Sequence, residues 1–340
     1  MKAHAPGKLI LSGEHAVVYG CPALVMAVQR HANAEVQVRD ANAQDSSTPQ
    51  LTVNAPTVLG SGSIPLHELP TLLGTLNQRH AEFLNGQRDI NQILDQDMDL
   101  AYYAVAMLTA QCPEESLQTG IQVDLSTDIP IGCGMGSSAA ILAATLAATA
   151  GALGLPPPSQ QTWYEWTLAA ERLQHGRPSG VDPYIVTHGG CIRFQQGKAT
   201  PLTVSRNAPL EHWVQTGPPA TTTGQCVAEV GRRFSSTDAI WEEFSACTNT
   251  IEAAWISADG SALDEAIRAN HRLLCQIGVV PQTVQAFIQA IESRGGSAKI
   301  CGAGATAGET AGIVGVRGVD RSDLETLCKH YAYCCESELR

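Results

Sequence analysis

The feature of this chain that most constrains its fold is a glycine-rich segment, residues 130–140, with the sequence PIGCGMGSSAA. A short strand is predicted before it, over Ile121–Ser126, and an alanine-rich helix directly after it, over Ser137–Leu153. Glycines let backbone N–H groups turn toward one point where the helix begins, and such a helix start binds anions. The segment therefore predicts a phosphate site.

The same segment has a purely structural interpretation. It could be a tight strand-to-helix turn that needs small residues, with Ser137 and Ser138 serving only as helix caps. The loop is not a Walker A motif, because no Gly-Lys-Ser/Thr closes it, and serines stand where a dinucleotide-binding turn has its third glycine.

Length and composition bound the architecture. With 340 residues, the chain exceeds one ordinary domain of roughly 100 to 200 residues, so two domains are expected, over 1–205 and 206–340. Hydrophobic residues make up 44% and charged residues 16%, which suits a packed core and excludes disorder. The mixed order of helices and strands, with no internal repeat, predicts an α+β fold.

Charge and cysteine usage exclude several partners. The formal net charge of −12 disfavours nucleic acid and anionic membranes, so a phosphorylated ligand must be held by a lysine, a metal ion or a helix N-terminus. No apolar run reaches about 18 residues, and a cytoplasmic protein is expected. The 11 cysteines are an odd number without CxxC spacing, which predicts reduced thiols rather than zinc or disulfides.

A second motif, residues 5–20, reads APGKLILSGEHAVVYG. Lys8 lies in a glycine-flanked apolar strand, where a positive charge is unusual, and Glu14 and His15 follow a serine-glycine turn. Taken singly, Lys8 would be a solvated surface charge and His15 a structural histidine. Their combination favours a functional site.

A third motif places two carboxylates on separate elements. Glu171 lies near the end of a helix predicted over Thr162–Gln174, and Asp182 follows a Pro-Ser-Gly turn. Different environments allow two carboxylates to take different roles. The alternative is an exposed helix carboxylate and an ordinary turn residue.

The three motifs together resemble those of the GHMP kinases, a family that includes galactokinases, homoserine kinases, mevalonate kinases and phosphomevalonate kinases. Residues 130–140 are similar to the family's phosphate-binding motif. Residues 5–20 are similar to mevalonate kinases in particular, since galactokinases share Gly-Glu-His but not the following Ala-Val-Val-Tyr-Gly. The resemblance implies an N-terminal domain like ribosomal protein S5 domain 2, a ferredoxin-like C-terminal domain, and ATP bound in a cleft.

The resemblance also implies roles for individual residues. The phosphates of ATP would be bound by a loop made of Gly134, Met135, Gly136, Ser137 and Ser138. Mg²⁺ would be held by Ser138 and Glu171, Asp182 would be the catalytic carboxylate, and Lys8 would neutralise charge. The acceptor side would comprise Lys8, Glu14, His15, Asp182, Thr223, Gly302 and Gly304.

The expected reaction is phosphorylation of mevalonate to 5-phosphomevalonate, on the way to isoprenoids. The cation that meets the substrate carboxylate is left open between Arg177 and His15, and the oligomeric state between monomer and homodimer.

One motif departs from the family pattern. Residues 299–308 read KICGAGATAG, where relatives continue with glycines after Gly304. Ala305, Thr306 and Ala307 disfavour a positive φ, so the loop is expected to take another path, with Gly308 supplying the displaced flexibility.

Two rival functions stay open at this point. One is another GHMP enzyme acting on phosphomevalonate or a sugar, and the other is a non-catalytic ATP-binding relative.

Overall fold

The computed structural model describes residues 1–39, 48–58, 60–113, 119–203 and 209–336. They pack into two compact units that are discontinuous along the chain. The first unit comprises Met1–Gly7, Arg30–Ile129 and Gly136–His188, and the second comprises Lys8–Gln29, Pro130–Met135 and Gly189–Arg340. The domain boundary expected between residues 205 and 206 lies outside the described residues.

Two long strands carry the chain from one unit into the other. Strand β1 (Lys2–Ser12) begins in the first unit and ends in the second, and β2 (Ala23–Arg39) runs the opposite way. The apolar stretches Leu24–Val28 and Ala32–Val38 by themselves suggest two strands. They form one strand because the polar residues between them do not interrupt the extended backbone.

The first unit contains a sheet and a group of helices. Its strands β3 (Gln50–Ala55), β4 (Gly60–Pro65) and β5 (Gly120–Thr127) pair in the order β4-β3-β5, and β5 pairs antiparallel with the end of β2. Burial alternates along β3 and most of β5, as expected when one face of a sheet is covered. The helices are α1 (Leu69–Leu84), α2 (Asp99–Thr109), α3 (Ser137–Ala152), α4 (Gln160–His175) and α5 (Val181–His188).

Helix α3 is central to this unit. It packs against α2, α4 and α5, and most of its alanines are buried, which lets the neighbouring helices approach closely. Leu142 and Leu146 of α3 join Leu108 of α2 and Leu173 of α4 in one apolar cluster. This packing holds the start of α3 and the end of α4 in defined positions.

The second unit contains a hairpin, a four-stranded sheet and the remaining helices. In the hairpin, β6 (Cys191–Gln195) pairs with β7 (Lys198–Pro201) and with the start of β2. The four-stranded sheet is antiparallel in the order β11-β8-β10-β9, formed by β8 (His212–Gly217), β9 (Ser297–Ile300), β10 (Gly312–Arg317) and β11 (Cys334–Glu336). The helices are α6 (Thr223–Arg233), α7 (Ile240–Ile256), α8 (Gly260–Gln276), α9 (Gln282–Glu292) and α10 (Arg321–Tyr331).

Strand β9 is the most enclosed strand of that sheet. All four of its residues are buried, because α8 and α9 both pack against it and α7 packs against α8. A polar side chain on β9 must therefore find its partner inside the unit.

Some local structure differs from what the sequence suggests. The apolar residues after His15 suggest that the strand resumes, but His15 to Tyr19 instead enter a short 3₁₀ helix over Ala16–Tyr19. Helix α6 was not predicted, although Thr222 and Gln225 form a capping box at its start. The α+β class is confirmed.

Within the described part of the chain, no helix combines the length and apolar character that crossing a membrane requires.

Candidate active site

The glycine loop has the backbone that its sequence predicted. Gly132, Gly134 and Gly136 all have positive φ, between 70° and 81°, a region that favours glycine. Helix α3 begins immediately afterwards, with Gly136 as its N-cap and no side chain capping its first turn. Ser137 and Ser138 therefore do not act as the N-cap, and the amide groups that start α3 suit an anion.

Side chains with oxygen atoms lie beside this helix start. The Ser138 hydroxyl donates a hydrogen bond to Oε1 of Gln174 on α4, at 2.6 Å. Glu171 lies three residues before Gln174, on the same face of α4, so its carboxylate belongs to the same surface as Ser138. Glu171 is buried, and its Oε2 lies 3.4 Å from Nε2 of His175.

This donor set fits magnesium. Mg²⁺ prefers oxygen ligands and is usually held by one or two carboxylates together with substrate phosphates and waters. The described residues contain no group of three or more His, Cys, Asp or Glu side chains arranged to hold a metal ion. A site with one carboxylate and one hydroxyl would depend on phosphate for its remaining ligands.

Asp182 lies in the first turn of α5 and is partly exposed. The turn before it is constrained at Gly180, which has φ of +87° and where a Cβ atom would lie 2.7 Å from the Tyr164 hydroxyl. The Ser179 hydroxyl accepts a hydrogen bond from the Val181 amide. The Pro-Ser-Gly sequence thus fixes the backbone that presents Asp182.

Lys8 is not a solvated surface charge. It is only 4% exposed, on the part of β1 that belongs to the second unit. Its backbone amide donates to the carbonyl of Met135 at 2.9 Å, so β1 is tied directly to the glycine loop.

Glu14 forms a buried ion pair that the sequence analysis did not anticipate. Its Oε1 accepts a hydrogen bond from the ammonium group of Lys299 on β9, and both side chains are enclosed. Burial raises the pKa of the Glu14 carboxyl, while the charge and hydrogen bond of Lys299 oppose that rise. The second oxygen, Oε2, is buried and has no hydrogen-bond partner among the described residues.

His15 has a defined tautomer. Its Nε2 lies 2.8 Å from the carbonyl oxygen of Ala303, and a carbonyl can only accept, so Nε2 carries the proton. Burial lowers the pKa of the ring, which is therefore neutral at pH 7. Nδ1 is then an acceptor, and like Glu14 Oε2 it is buried without a partner in the described residues.

The altered glycine motif contacts the phosphate loop within the second unit. A Cβ atom at Gly302 would lie 3.5 Å from the Cα atom of Gly134, so the two loops meet closely. Gly304 and Gly308 have positive φ, whereas Ala305, Thr306 and Ala307 do not. The three replaced positions therefore carry no backbone strain from a positive φ, and a loop path different from that of relatives stays a prediction.

Thr223 occupies the first position of α6 and is exposed, and the side chain that caps this helix is that of Thr222. The structure gives it no contact that marks a binding role.

Two residues that contact the candidate site residues were not singled out from the sequence: Lys299, the partner of Glu14, and Gln174, the partner of Ser138. A lysine inside the apolar run Ala298–Cys301 was the available signal for the first, because a charged residue in a buried strand requires a partner. Gln174 gave no signal beyond its helical spacing from Glu171.

Comparisons with known proteins agree with these features. The family model described as GHMP kinases N terminal domain matches residues 99–190, which include the glycine loop, Glu171 and Asp182. A mevalonate kinase of Bos taurus is 29% identical over 370 residues, covering 97% of this chain and 89% of the bovine protein.

Solved structures share the fold along the whole chain. The mevalonate kinase of Methanococcus jannaschii superimposes with a TM-score of 0.74 at 21% identity, covering 98% of this chain and 97% of the other. The galactokinase of Lactococcus lactis, solved with galactose, has a TM-score of 0.70 at 14% identity, with 99% and 93% covered. The likeness confirms the fold that the sequence resemblance implied, and it shows that kinases named for different acceptors share this fold.

Proposed function

We propose that the chain is a GHMP kinase, the family whose model matches residues 99–190, and that it transfers the γ-phosphoryl group of ATP to the primary hydroxyl of mevalonate. The products are 5-phosphomevalonate, an intermediate toward isoprenoids, and ADP. The observation that carries the proposal is the similarity to a mevalonate kinase over 97% of the chain. The fold alone does not select the acceptor, because a galactokinase shares it.

The glycine loop binds the phosphates of ATP. Its residues Gly134 to Ser138 supply backbone N–H groups at the uncapped start of α3, where the helix dipole also favours negative charge. A net charge of −12 gives no general attraction for ATP, so the local site must provide it.

Ser138 and Glu171 hold Mg²⁺, which when bound neutralises charge on the phosphate oxygens. The Ser138 hydroxyl, which is hydrogen-bonded to Gln174, would supply a neutral oxygen ligand, and the buried Glu171 carboxylate would supply the negative one.

Asp182 and Lys8 act on the reacting groups. Asp182 accepts or orients the proton of the attacking hydroxyl, and Lys8 balances the charge of that carboxylate and of the transferred phosphoryl group. Phosphoryl transfer leaves a protein mainly these tasks of positioning and charge stabilisation.

The acceptor is bound on the side of Glu14 and His15, with Thr223, Gly302 and Gly304 as the further members of this set. Glu14 Oε2 and His15 Nδ1 are both hydrogen-bond acceptors, so they suit hydroxyl groups, of which mevalonate carries two. A neutral acceptor nitrogen does not suit a carboxylate. His15 is therefore withdrawn as the partner of the substrate carboxylate, and Arg177 remains.

The test is ADP release with purified protein, ATP and Mg²⁺ across mevalonate, phosphomevalonate, galactose and homoserine, with Asp182→Asn as the control for contaminating activity. We expect turnover with mevalonate at least about 100-fold above the other acceptors, since a site that pairs with substrate hydroxyls discriminates strongly. Preference for another acceptor would favour a different GHMP kinase, and turnover with none would favour a non-catalytic relative.

A cytoplasmic location and a homodimer remain predictions, to be checked by cell fractionation and by sedimentation.

A further inference from the structure

Lys299 is a fully buried lysine in the middle of an apolar strand. Its side chain is 0% exposed, and its ammonium group donates to Glu14 Oε1 and to the carbonyl oxygen of Ile300 at 2.6 Å. An ammonium group is costly to enclose unless it is paired and hydrogen-bonded. The residue before and the residue after Lys299 are Ala298 and Ile300, so the surrounding strand gives no other reason for a charge.

Glu14 uses only one of its oxygens in this pair. Its Oε2 is buried and without a partner in the described chain, as is Nδ1 of the adjacent His15. Two neighbouring acceptors left unpaired at buried positions indicate a ligand that brings donors.

The turn that carries Glu14 is held by neutral contacts as well. The Ser12 hydroxyl shares a hydrogen bond with Thr248 of α7 at 2.8 Å and accepts one from Asn270 of α8 at 3.2 Å. Gly13 is enclosed so tightly that a Cβ atom would lie 2.3 Å from the carbonyl oxygen of Pro22. The backbone at residues 12–15 is therefore positioned without Lys299, and what Lys299 adds is charge at the Glu14 carboxylate.

We propose that Lys299 is a positioning residue for the acceptor: its ammonium group keeps Glu14 ionised and turns Oε2 toward a hydroxyl group of the bound substrate. The proposal rests on the function proposed above. In this arrangement Glu14 contacts the acceptor, whereas Lys299 contacts Glu14 and no reacting group.

Few titratable groups among the described residues lie close enough to Glu14 to affect its charge. The titratable groups that act on the Glu14–Lys299 pair from the elements packed around it are Lys8, Cys247, His271 and Cys301. Burial raises the pKa of both thiols to about 11 and lowers the pKa of His271 to about 4, so all three groups are neutral near pH 7. Without Lys299, a backbone hydrogen bond and the charge of Lys8 are what would still oppose protonation of Glu14 among the described residues.

The first test is Lys299→Met, which keeps the length of the side chain and removes its charge. We expect kcat/KM for mevalonate to fall by about 30-fold or more at pH 7, as when one partner of a buried charge pair is lost. The KM for ATP should change by less than about twofold, because the phosphate site is built by other residues. Raising the pH should restore part of the lost kcat/KM, since Glu14 regains its charge above its increased pKa.

Arg193→Met is the matched control. It breaks the ion pair between Arg193 and Glu252 in the same unit, and neither residue is hydrogen-bonded to Glu14. The proposal is overturned if Lys299→Met matches this control, with an unchanged KM for mevalonate and the pH profile of the wild type.

A second readout does not need catalysis. In Lys299→Met the folded protein should bind a proton at Glu14 more tightly than the unfolded chain, so its unfolding free energy should fall as pH rises above 4.5. The double variant Glu14→Gln/Lys299→Met should lack this slope and unfold at higher urea. Absence of turnover by the wild type would refute the proposed function alone, whereas equal slopes for the single and double variants would refute the role of Lys299.

Discussion

At the scale of single residues, the charged side chains that are buried are the most informative ones. Lys8, Glu14, Glu171 and Lys299 are charged side chains with at most 7% of their surface exposed. Side chains of this kind are rarely enclosed without pairing, because desolvation penalises the charged form. Three of them are candidate site residues of the sequence motifs, and the fourth, Lys299, pairs with one of those three. The other buried carboxylate among the described residues, Asp99, instead accepts hydrogen bonds from backbone amides just before α2, so most but not all of the buried charges belong to the candidate site.

Asp182→Asn tests the catalytic carboxylate. The amide keeps the shape of the side chain but can neither accept the hydroxyl proton nor balance a lysine charge, so turnover should fall by about 10²–10⁴-fold. ATP binding, measured by calorimetry, should be unchanged. A variant that keeps more than about a tenth of the wild-type rate would contradict the role.

His271 should make stability depend on pH. Burial, assisted by the charges of Lys299 and Arg272, lowers its pKa to about 4 from 6.5. Between these two pH values the His271 ring is protonated in the unfolded chain but neutral in the folded chain. The unfolding free energy should therefore fall as pH drops from 6.5 toward 4. The loss attributable to this residue is about 3 kcal/mol at most.

Urea unfolding of wild type and His271→Gln between pH 4 and 7 measures this effect. The variant should lose less stability than the wild type on acidification. Parallel curves for the two proteins would show that His271 does not titrate as described.

Much of the candidate site could be proposed from sequence, and the part that could not has a physical reason. Lys8, Glu14, Ser138, Glu171 and Asp182 stand in motifs whose spacing is local. The partner of Glu14 is 285 positions away, and no local pattern links the two. The tautomer of His15 likewise depends on Ala303, 288 positions away.

At the scale of elements, the start of α3 and the end of α4 form one surface. The hydrogen bond from Ser138 to Gln174 joins them, and Glu171 lies one turn earlier on α4. Sequence patterns predicted both helices because each has a clear beginning or end, with glycines before Ser137 and after His175. Helix α6 was missed because its sequence is largely polar and its capping box was not recognised.

Ser138→Ala and Glu171→Gln should each weaken the proposed magnesium site. Part of their lost activity should return when Mg²⁺ is raised to several times the level that saturates the wild type, because a weakened site can be filled by mass action. Asp182→Asn should show no such recovery. Equal insensitivity of the three variants in a magnesium titration would count against the two ligands.

The loop after Gly304 allows two explanations of its altered sequence to be distinguished. Either the loop takes a different backbone path in an active kinase, or the kinase has lost activity. Gly308 has φ of +80°, and a Cβ atom there would lie 2.7 Å from Cβ of Ala220. Gly308→Val should therefore lower the unfolding free energy by about 2 kcal/mol or more, through strain and overpacking together, and should lower activity.

Gly295→Val is the matched control for Gly308→Val, because Gly295 also has a positive φ, +87°, but has open space around it. It should lose less stability and retain activity. Replacing Ala305 and Thr306 by glycine should alter the rate little, since neither has a positive φ. A gain of about tenfold or more, equivalent to about 1.4 kcal/mol, would instead indicate a decayed kinase.

At the scale of the whole molecule, the chain builds two compact units whose segments alternate along the sequence. Strands β1 and β2 and the glycine loop each pass from one unit to the other, so the residues of a single motif are divided between them. A sequence pattern shows where strands and helices lie but not which distant segments pack together. The α+β class was therefore predictable, whereas this division was not.

The central claim is that the chain phosphorylates the primary hydroxyl of mevalonate, and ³¹P NMR of the reaction products tests it most directly. With purified protein, ATP, Mg²⁺ and mevalonate, we expect ADP and one phosphomonoester in equal amounts, with the phosphorus coupled to the two protons on C5. Asp182→Asn should form neither at a comparable rate. Release of inorganic phosphate without a phosphomonoester, or a phosphorus signal without coupling to the C5 protons, would contradict the account.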